Sequence, residues 1–195
     1  RTQEVLETFL DPRIRLVKQP NTGLTKALNE GLRLCRGKFI ARIDADDLSM
    51  PERLEQQLLF LKKHPETGMV GTAYFEINDK GKILCENFCP VDDDQLKKNL
   101  IKHNPFCHTS IMIRKSVLNK IGFYDESFLY GQDYELYFRI ARYYKLANLP
   151  YFLTKRRIRD GNISFSHESQ QLKYGVAARI KAIQSKQYPF HAYFY

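Results

Sequence analysis

The chain has 195 residues, 31 Lys and Arg against 22 Asp and Glu, a formal net charge of +9, and is 43% hydrophobic and 27% charged. A chain of this length hides roughly 70% of its unfolded surface on folding, and its composition excludes a disordered, collagen-like or disulfide-knotted molecule. No uninterrupted apolar stretch reaches the length of a transmembrane helix, and one domain with a short appendage is expected.

Residues 14–18 are a β-prone run closed by Gln19 and Pro20, which predicts a strand. Asn21 is placed to cap a helix over 22–35, with Leu24, Leu28, Leu32 and Cys35 on one face and Gly37 just beyond its end. Residues 38–43 read as a strand that runs into Asp44-Ala45-Asp46-Asp47. Ser49-Met50-Pro51-Glu52 has capping-box spacing and predicts a helix to about 64, with Leu54, Leu58 and Leu61 on one face. Residues 69–77 and 82–89 predict two strands around the turn Asn78-Asp79-Lys80-Gly81, and Asp92-Asp93-Asp94 opens a helix through 100. A strand over 110–114, a helix over 116–121 ended by Gly122, and a helix over 133–144 follow. Strands near Leu146 and over 152–158 precede an amphipathic helix over 169–185 and an aromatic run over 188–195. The early alternation of strand and helix predicts an α/β sandwich on a mainly parallel sheet.

Asp44, Asp46 and Asp47 repel one another unless a cation neutralises them. Oxygen-only ligands favour Mg²⁺ or Mn²⁺ together with substrate phosphates, and open α/β sheets bind ligands beyond the carboxyl ends of their strands. The same acids also fit a loop satisfied by backbone amides and the dipole of the next helix. Asp133 follows Gly131 at a helix start, which suits a general base facing a cleft or an acid complementing the dipole. His108 fits a packed histidine as well as a site residue. The basic run Lys155-Arg156-Arg157-Ile158-Arg159 suits a phosphate, a lipid head group or a solvated strand edge. The cysteines Cys35, Cys85, Cys89 and Cys107 lack a Cys-x-x-Cys pair and read as reduced thiols of a cytoplasmic protein. The positive charge suits an anionic partner, yet no helix-turn-helix, zinc-finger or RNP-like pattern is present, so nucleic acid is not expected.

Several motifs occur together in order. Asn21-Thr22-Gly23-Leu24, Arg36-Gly37-Lys38-Phe39-Ile40 and IDADDLSMPERLEQQ over 43–57 are followed by NPFCHTSIMIRKSVLNKIGFYDESFLYGQDYELYFRIAR over 104–142 and GNIS over 161–164. This arrangement resembles a family 2 glycosyltransferase of the GT-A fold across about 13–164. The resemblance implies a Rossmann-like α/β/α sandwich over 1–165, followed by a carboxy-terminal helix and aromatic tail over 166–195. It implies inverting transfer of a sugar from a nucleoside diphosphate sugar, a UDP-sugar, to a hydroxyl of a glycan or lipid-linked acceptor.

Residue by residue, Asp44 and Asp46 match the family's Asp-x-Asp motif, which implies contact of Asp46 with Mn²⁺ or Mg²⁺ and of Asp44 with the donor ribose or the metal. Asn21 and Gly23 fall on the donor side, and Asp133 matches the catalytic base. Gln132 stands where the family has glutamate, and His108 matches a histidine near the acceptor. Glu135 and Arg139 match flanking, structural positions. The Gln-x-x-Arg-Trp signature of processive members is absent, which implies non-processive transfer. The family's first two strands and the nucleotide-contacting loop between them are unmatched, so an amino-terminally truncated enzyme is expected. The alternative is a non-catalytic remnant of the fold that acts as a binding module. The basic surface and aromatic ending suit peripheral contact with the inner face of a membrane carrying a lipid-linked acceptor.

Overall fold

The computed structural model describes residues 2–159 and 167–185. The motif over 161–164 and the aromatic run over 188–195 lie outside them. The elements are α1 (Thr2–Glu7), α2 (Leu24–Leu34), β1 (Phe39–Ala41), β2 (Leu48–Ser49), α3 (Arg53–Lys63), β3 (Thr67–Ile77) and β4 (Ile83–Asn87). They continue with α4 (Asp93–Lys102), a 3₁₀ turn (His108–Ser110), β5 (Met112–Arg114), α5 (Lys115–Ile121), α6 (Gln132–Tyr143), β6 (Lys145–Arg157) and α7 (Glu168–Gln184).

Six strands form one sheet in the order β1-β5-β3-β6-β2, with β4 beside the distal half of β3. The sheet is mixed. Its longest ladder, β3 against β6, is parallel, whereas the shorter pairings β1–β5, β3–β5, β3–β4 and β2–β6 are antiparallel.

Alternation along the strands divides the core into two layers. Met69 of β3, Ile113 of β5 and Leu146 of β6 face a large cluster with Leu32, Leu100, Leu118, Leu136, Ile140 and Ala178 from the helices. Their neighbours Val70, Met112 and Ala147 face the other side, where they meet Leu61 of α3 and Leu149 and Leu153 of β6. Helices therefore cover both faces of the sheet, as an α/β/α sandwich requires.

Several sequence expectations change. Residues 14–18 form no strand: Ile14, Leu16 and Val17 are 50%, 42% and 45% exposed and no described strand pairs with them. Asn21 does not cap α2; its Oδ1 accepts from Gly23 N at 3.4 Å, and Gly23, at φ 93°, is the residue that precedes the helix. Ser49 lies in β2 and its hydroxyl bonds Met50 O, so no capping box forms and α3 starts at Arg53. Its buried face is Arg53, Gln57 and Leu61, while Leu54 is 54% exposed.

The two carboxy-terminal strands are one strand, β6. Opposite Pro150 and Tyr151 the ladder jumps from Thr72↔Leu149 to Ala73↔Phe152. A bulge thus takes up the residue that cannot donate to the ladder. Elsewhere the turn at 78–81 closes the β3–β4 hairpin, Asp92 caps α4 by accepting from Gln95 N, and Gly122 ends α5.

Candidate active site

The site begins where β1 ends. Arg42 N donates to Ile111 O at 3.0 Å, which extends the β1–β5 ladder by one rung before the acid loop departs. Beneath this point α3 supplies a buried polar pair. Arg53, 1% exposed, donates Nη2 to Arg42 O at 2.6 Å and to Ile111 O at 3.2 Å, and its Nε bonds Gln57 Oε1 at 3.1 Å. Gln57 donates Nε2 to Val70 O at 3.0 Å and Ser110 O at 2.8 Å. Arg53 has no carboxylate partner among the described residues, and burial brings its pKa down to about 10. The pair fixes the strand ends from which both the acid loop and the His108 turn emerge.

In the loop, Asp44 N donates to Thr109 Oγ1 at 2.9 Å, and both oxygens of its carboxylate accept from Arg42. Asp47 Oδ1 accepts from Arg157 N at 2.7 Å, while Arg157 Nε donates to Asp46 O at 2.9 Å. Burial raises the pKa of Asp47, opposed by the bonds from Arg157 and Thr109. The Asp46 carboxylate has no hydrogen bond or ion pair among the described residues.

Gly131, at φ 60°, turns the chain into α6 and sets Asp133 in its first turn. Left-handed backbone is cheap only for glycine there. Asp133 Oδ2 accepts from Asn104 Nδ2 at 2.8 Å. Burial raises the Asp133 pKa, and the Tyr134 N–H, the charge of Arg42 and the Asn104 bond oppose that rise. Gln132 is buried beside it. His108 Nε2 is 2.8 Å from Tyr124 Oη, and its ring packs edge-on against Tyr124 and Tyr137. Burial, with the charge of Arg42, holds His108 well below the ordinary imidazole value, so it is neutral at pH 7. Glu135 and Arg139 build a scaffold: Glu135 bonds Arg139 and Lys181, and Arg139 donates to the carbonyls of Ile121 and Phe123.

One cleft of about 810 Å³ is lined by Asp44, Asp46 and Asp47 together with His108, Gln132 and Asp133. Asn21 and Gly23 do not line it, although Leu24 does. Arg42, Arg156 and Arg157 also line it. Arg42 had one readable signal, its position two residues before Asp44 on an extended run, where side chains share a face. Tyr124, Arg53 and Gln57 had none that separates them from ordinary core positions.

No three His, Cys, Asp or Glu side chains among the described residues are gathered to hold a metal. The donor chemistry nonetheless fits a hard cation. Such ions commonly take one or two carboxylates and complete their shell with phosphate and water, and Asp46 presents an unpartnered carboxylate to a cleft roomy enough for a diphosphate. Among the described residues no helix is long and apolar enough to cross a membrane.

Comparison with known proteins adds the family. The model of glycosyl transferase family 2 matches residues 1–122. The chain is 35% identical over 147 residues to the amylovoran biosynthesis glycosyltransferase AmsE of Erwinia amylovora, covering 75% of this chain and 54% of that protein. It is 35% identical over 133 residues to the O-antigen biosynthesis glycosyltransferase WbnJ of Escherichia coli, covering 68% of this chain and 51% of that protein. The chain thus spans about half the length of these two relatives. Among solved structures, Staphylococcus aureus TarS 1-349 in complex with UDP-GlcNAc superposes with a TM-score of 0.62 at 16% identity, over 83% of this chain and 47% of TarS. That likeness shows a shared GT-A fold.

Proposed function

Because the chain belongs to glycosyl transferase family 2, we propose that its parent protein moves a sugar from a nucleoside diphosphate sugar to an acceptor hydroxyl, with inversion and without processivity. The observation that carries this reading is the meeting in one cleft of Asp44 and Asp46 with Asp133, residues nearly half the chain apart in sequence. The complex of TarS with UDP-GlcNAc supports a UDP-sugar as donor class. The amylovoran and O-antigen relatives support an acceptor in cell-surface polysaccharide or lipid-linked glycan synthesis.

In this reading the acid loop holds the diphosphate end of the donor, with Asp44 toward the ribose and Asp46 as the carboxylate that would hold Mn²⁺ or Mg²⁺. A divalent cation bound there would neutralise charge developing on the leaving diphosphate. Asp133 takes the proton from the acceptor hydroxyl as it attacks the sugar from the face opposite the leaving group. Burial makes Asp133 a better base than a solvated carboxylate, and the Asn104 amide holds its carboxylate in place at the cleft wall. Neutral His108, fixed by Tyr124, offers its ring to the acceptor side without competing for that proton. The basic surface suits peripheral contact with an anionic membrane that carries the acceptor.

Calorimetric titration of UDP with and without Mn²⁺ tests the donor site. Metal-dependent binding, lost in Asp46→Asn, is the expected result. If the chain binds no nucleoside diphosphate with or without Mn²⁺, the binding-module alternative replaces transfer.

A further inference from the structure

The acid loop carries its own counter-ion. Arg42 and Asp44 leave the end of β1 two residues apart, on the same face of an extended chain. Arg42 Nη1 donates to Asp44 Oδ2 at 3.0 Å and Nη2 to Oδ1 at 2.5 Å, so both carboxylate oxygens are taken. The guanidinium is 12% exposed and the Asp44 carboxylate 45%, so the cation is seated in the wall and the acid reaches back to it. Arg42 is also anchored through its backbone: its N–H bonds Ile111 O and its carbonyl accepts from Arg53. Its Nε is buried with no hydrogen-bond partner among the described residues. Of the other two acids, Asp47 is held by the Arg157 amide, which leaves the Asp46 carboxylate as the one without a hydrogen bond or ion pair among the described residues.

We propose that Arg42 is a positioning residue that occupies Asp44 until a nucleoside diphosphate arrives, and so makes divalent-cation binding at this loop depend on the nucleotide. The proposal rests on the donor-site reading above. Three ionised carboxylates in four residues would attract a divalent cation unaided. With Asp44 neutralised by the fork and Asp47 tied to an amide, the loop offers one carboxylate, whereas a cation such as Mg²⁺ requires about six oxygens. A diphosphate supplies both charge and oxygens, and its oxygens accept a planar guanidinium as well as a carboxylate does. Arg42 then exchanges Asp44 for phosphate, and Asp44 is released to the ribose or the cation.

The test uses Mn²⁺ alone as the probe and reads its uptake from the loss of the free-ion paramagnetic resonance signal. Wild-type protein is compared with Arg42→Met, Arg42→Lys and Arg42→Met with Asp44→Asn, all without nucleotide. Arg42→Met should bind Mn²⁺ about tenfold or more tightly than wild type, as expected when a pairing cation is removed from a partly exposed acid cluster. Adding Asp44→Asn should return it to wild-type weakness. Lysine keeps charge but cannot form the fork, so Arg42→Lys should lie between. Equal Mn²⁺ affinity in wild type and a folded Arg42→Met overturns the proposal; should that variant melt early, equal affinity in Arg42→Lys does the same. A separate UDP titration on wild type distinguishes failure of the donor reading, because the Mn²⁺-only comparison involves no nucleotide.

Discussion

Asp133 sits where a carboxylate is poorly solvated, and its chemistry follows from that placement. Its pKa is raised chiefly by burial. If Asp133 is the proposed base it must be unprotonated, so transfer should then fall as pH drops through a value above the ordinary carboxylate range. The shift also has a stability side. The native carboxyl binds its proton more tightly than the unfolded one, so its favourable contribution is present below the unfolded value and lost as pH rises through the native one. At neutral pH, Asp133→Asn should therefore melt at the same temperature as wild type or higher, while transfer falls about 10²–10⁴-fold. A melting curve beside a transfer assay and a UDP titration checks this; UDP affinity should stay within about twofold, since the proposed base lies on the acceptor side.

At the scale of elements, two short pieces of chain aim the site. Gly131 gives α6 its entry angle at φ 60°, and a Cβ there would meet Tyr174 only at an ordinary 3.6 Å. The cost of Gly131→Ala is thus backbone strain alone, about 1–2 kcal/mol. Urea unfolding should show that loss, with Gly131→Asn closer to wild type because asparagine tolerates the left-handed region. The second piece is the Arg53–Gln57 pair. Gln57→Leu strips a donor from the Val70 and Ser110 carbonyls in a fully buried place, and should cost about 1–3 kcal/mol. The same leucine loosens the turn that carries His108, so its effect on ligand binding should exceed that of Leu54→Ala on the exposed face of the same helix.

At the scale of the whole molecule, charge and apolar exposure determine what the surface meets. The chain carries +9, and on α7 the exposed Leu172, Val176 and Ile180 recur every fourth residue, with Leu172 at the rim of the cleft. If the proposed membrane contact holds, the protein co-sediments with anionic vesicles at low salt and releases as ionic strength rises, since screening shortens the Debye length to about 10 Å at 0.1 M. Leu172→Gln with Ile180→Gln should weaken that sedimentation, and no sedimentation at any salt removes membrane contact from the reading.

Much of the fold was legible one element at a time. The Asp92 cap, the turn at 78–81 and the stop at Gly122 are local, each decided by a few residues and their backbone preferences. Residues 14–18 failed because β-propensity describes a segment that has found a partner strand, and these have none among the described residues. Of the Leu54–Leu58–Leu61 face, Leu61 is in the core and Leu54 is exposed, because helical spacing alone does not say that Arg53 and Gln57 will find carbonyls to satisfy them inside. The acids proposed to carry the chemistry stand out by spacing and by resemblance to the family. Their partners did not: Arg42 on Asp44, Asn104 on Asp133 and Tyr124 on His108 are contacts between side chains whose orientation the sequence leaves open.

By itself, then, the sequence determined the family, most of the helices with their stops, and the presence of an acid cluster just after β1, because each of these is written in short-range pattern. Only the tertiary structure decided that the β1 loop and the α6 start share a cleft, that the sheet is mixed, and which charges are already paired. Those are long-range consequences of packing, where burial sets the strength of each charge and the geometry of neighbouring elements chooses its partner.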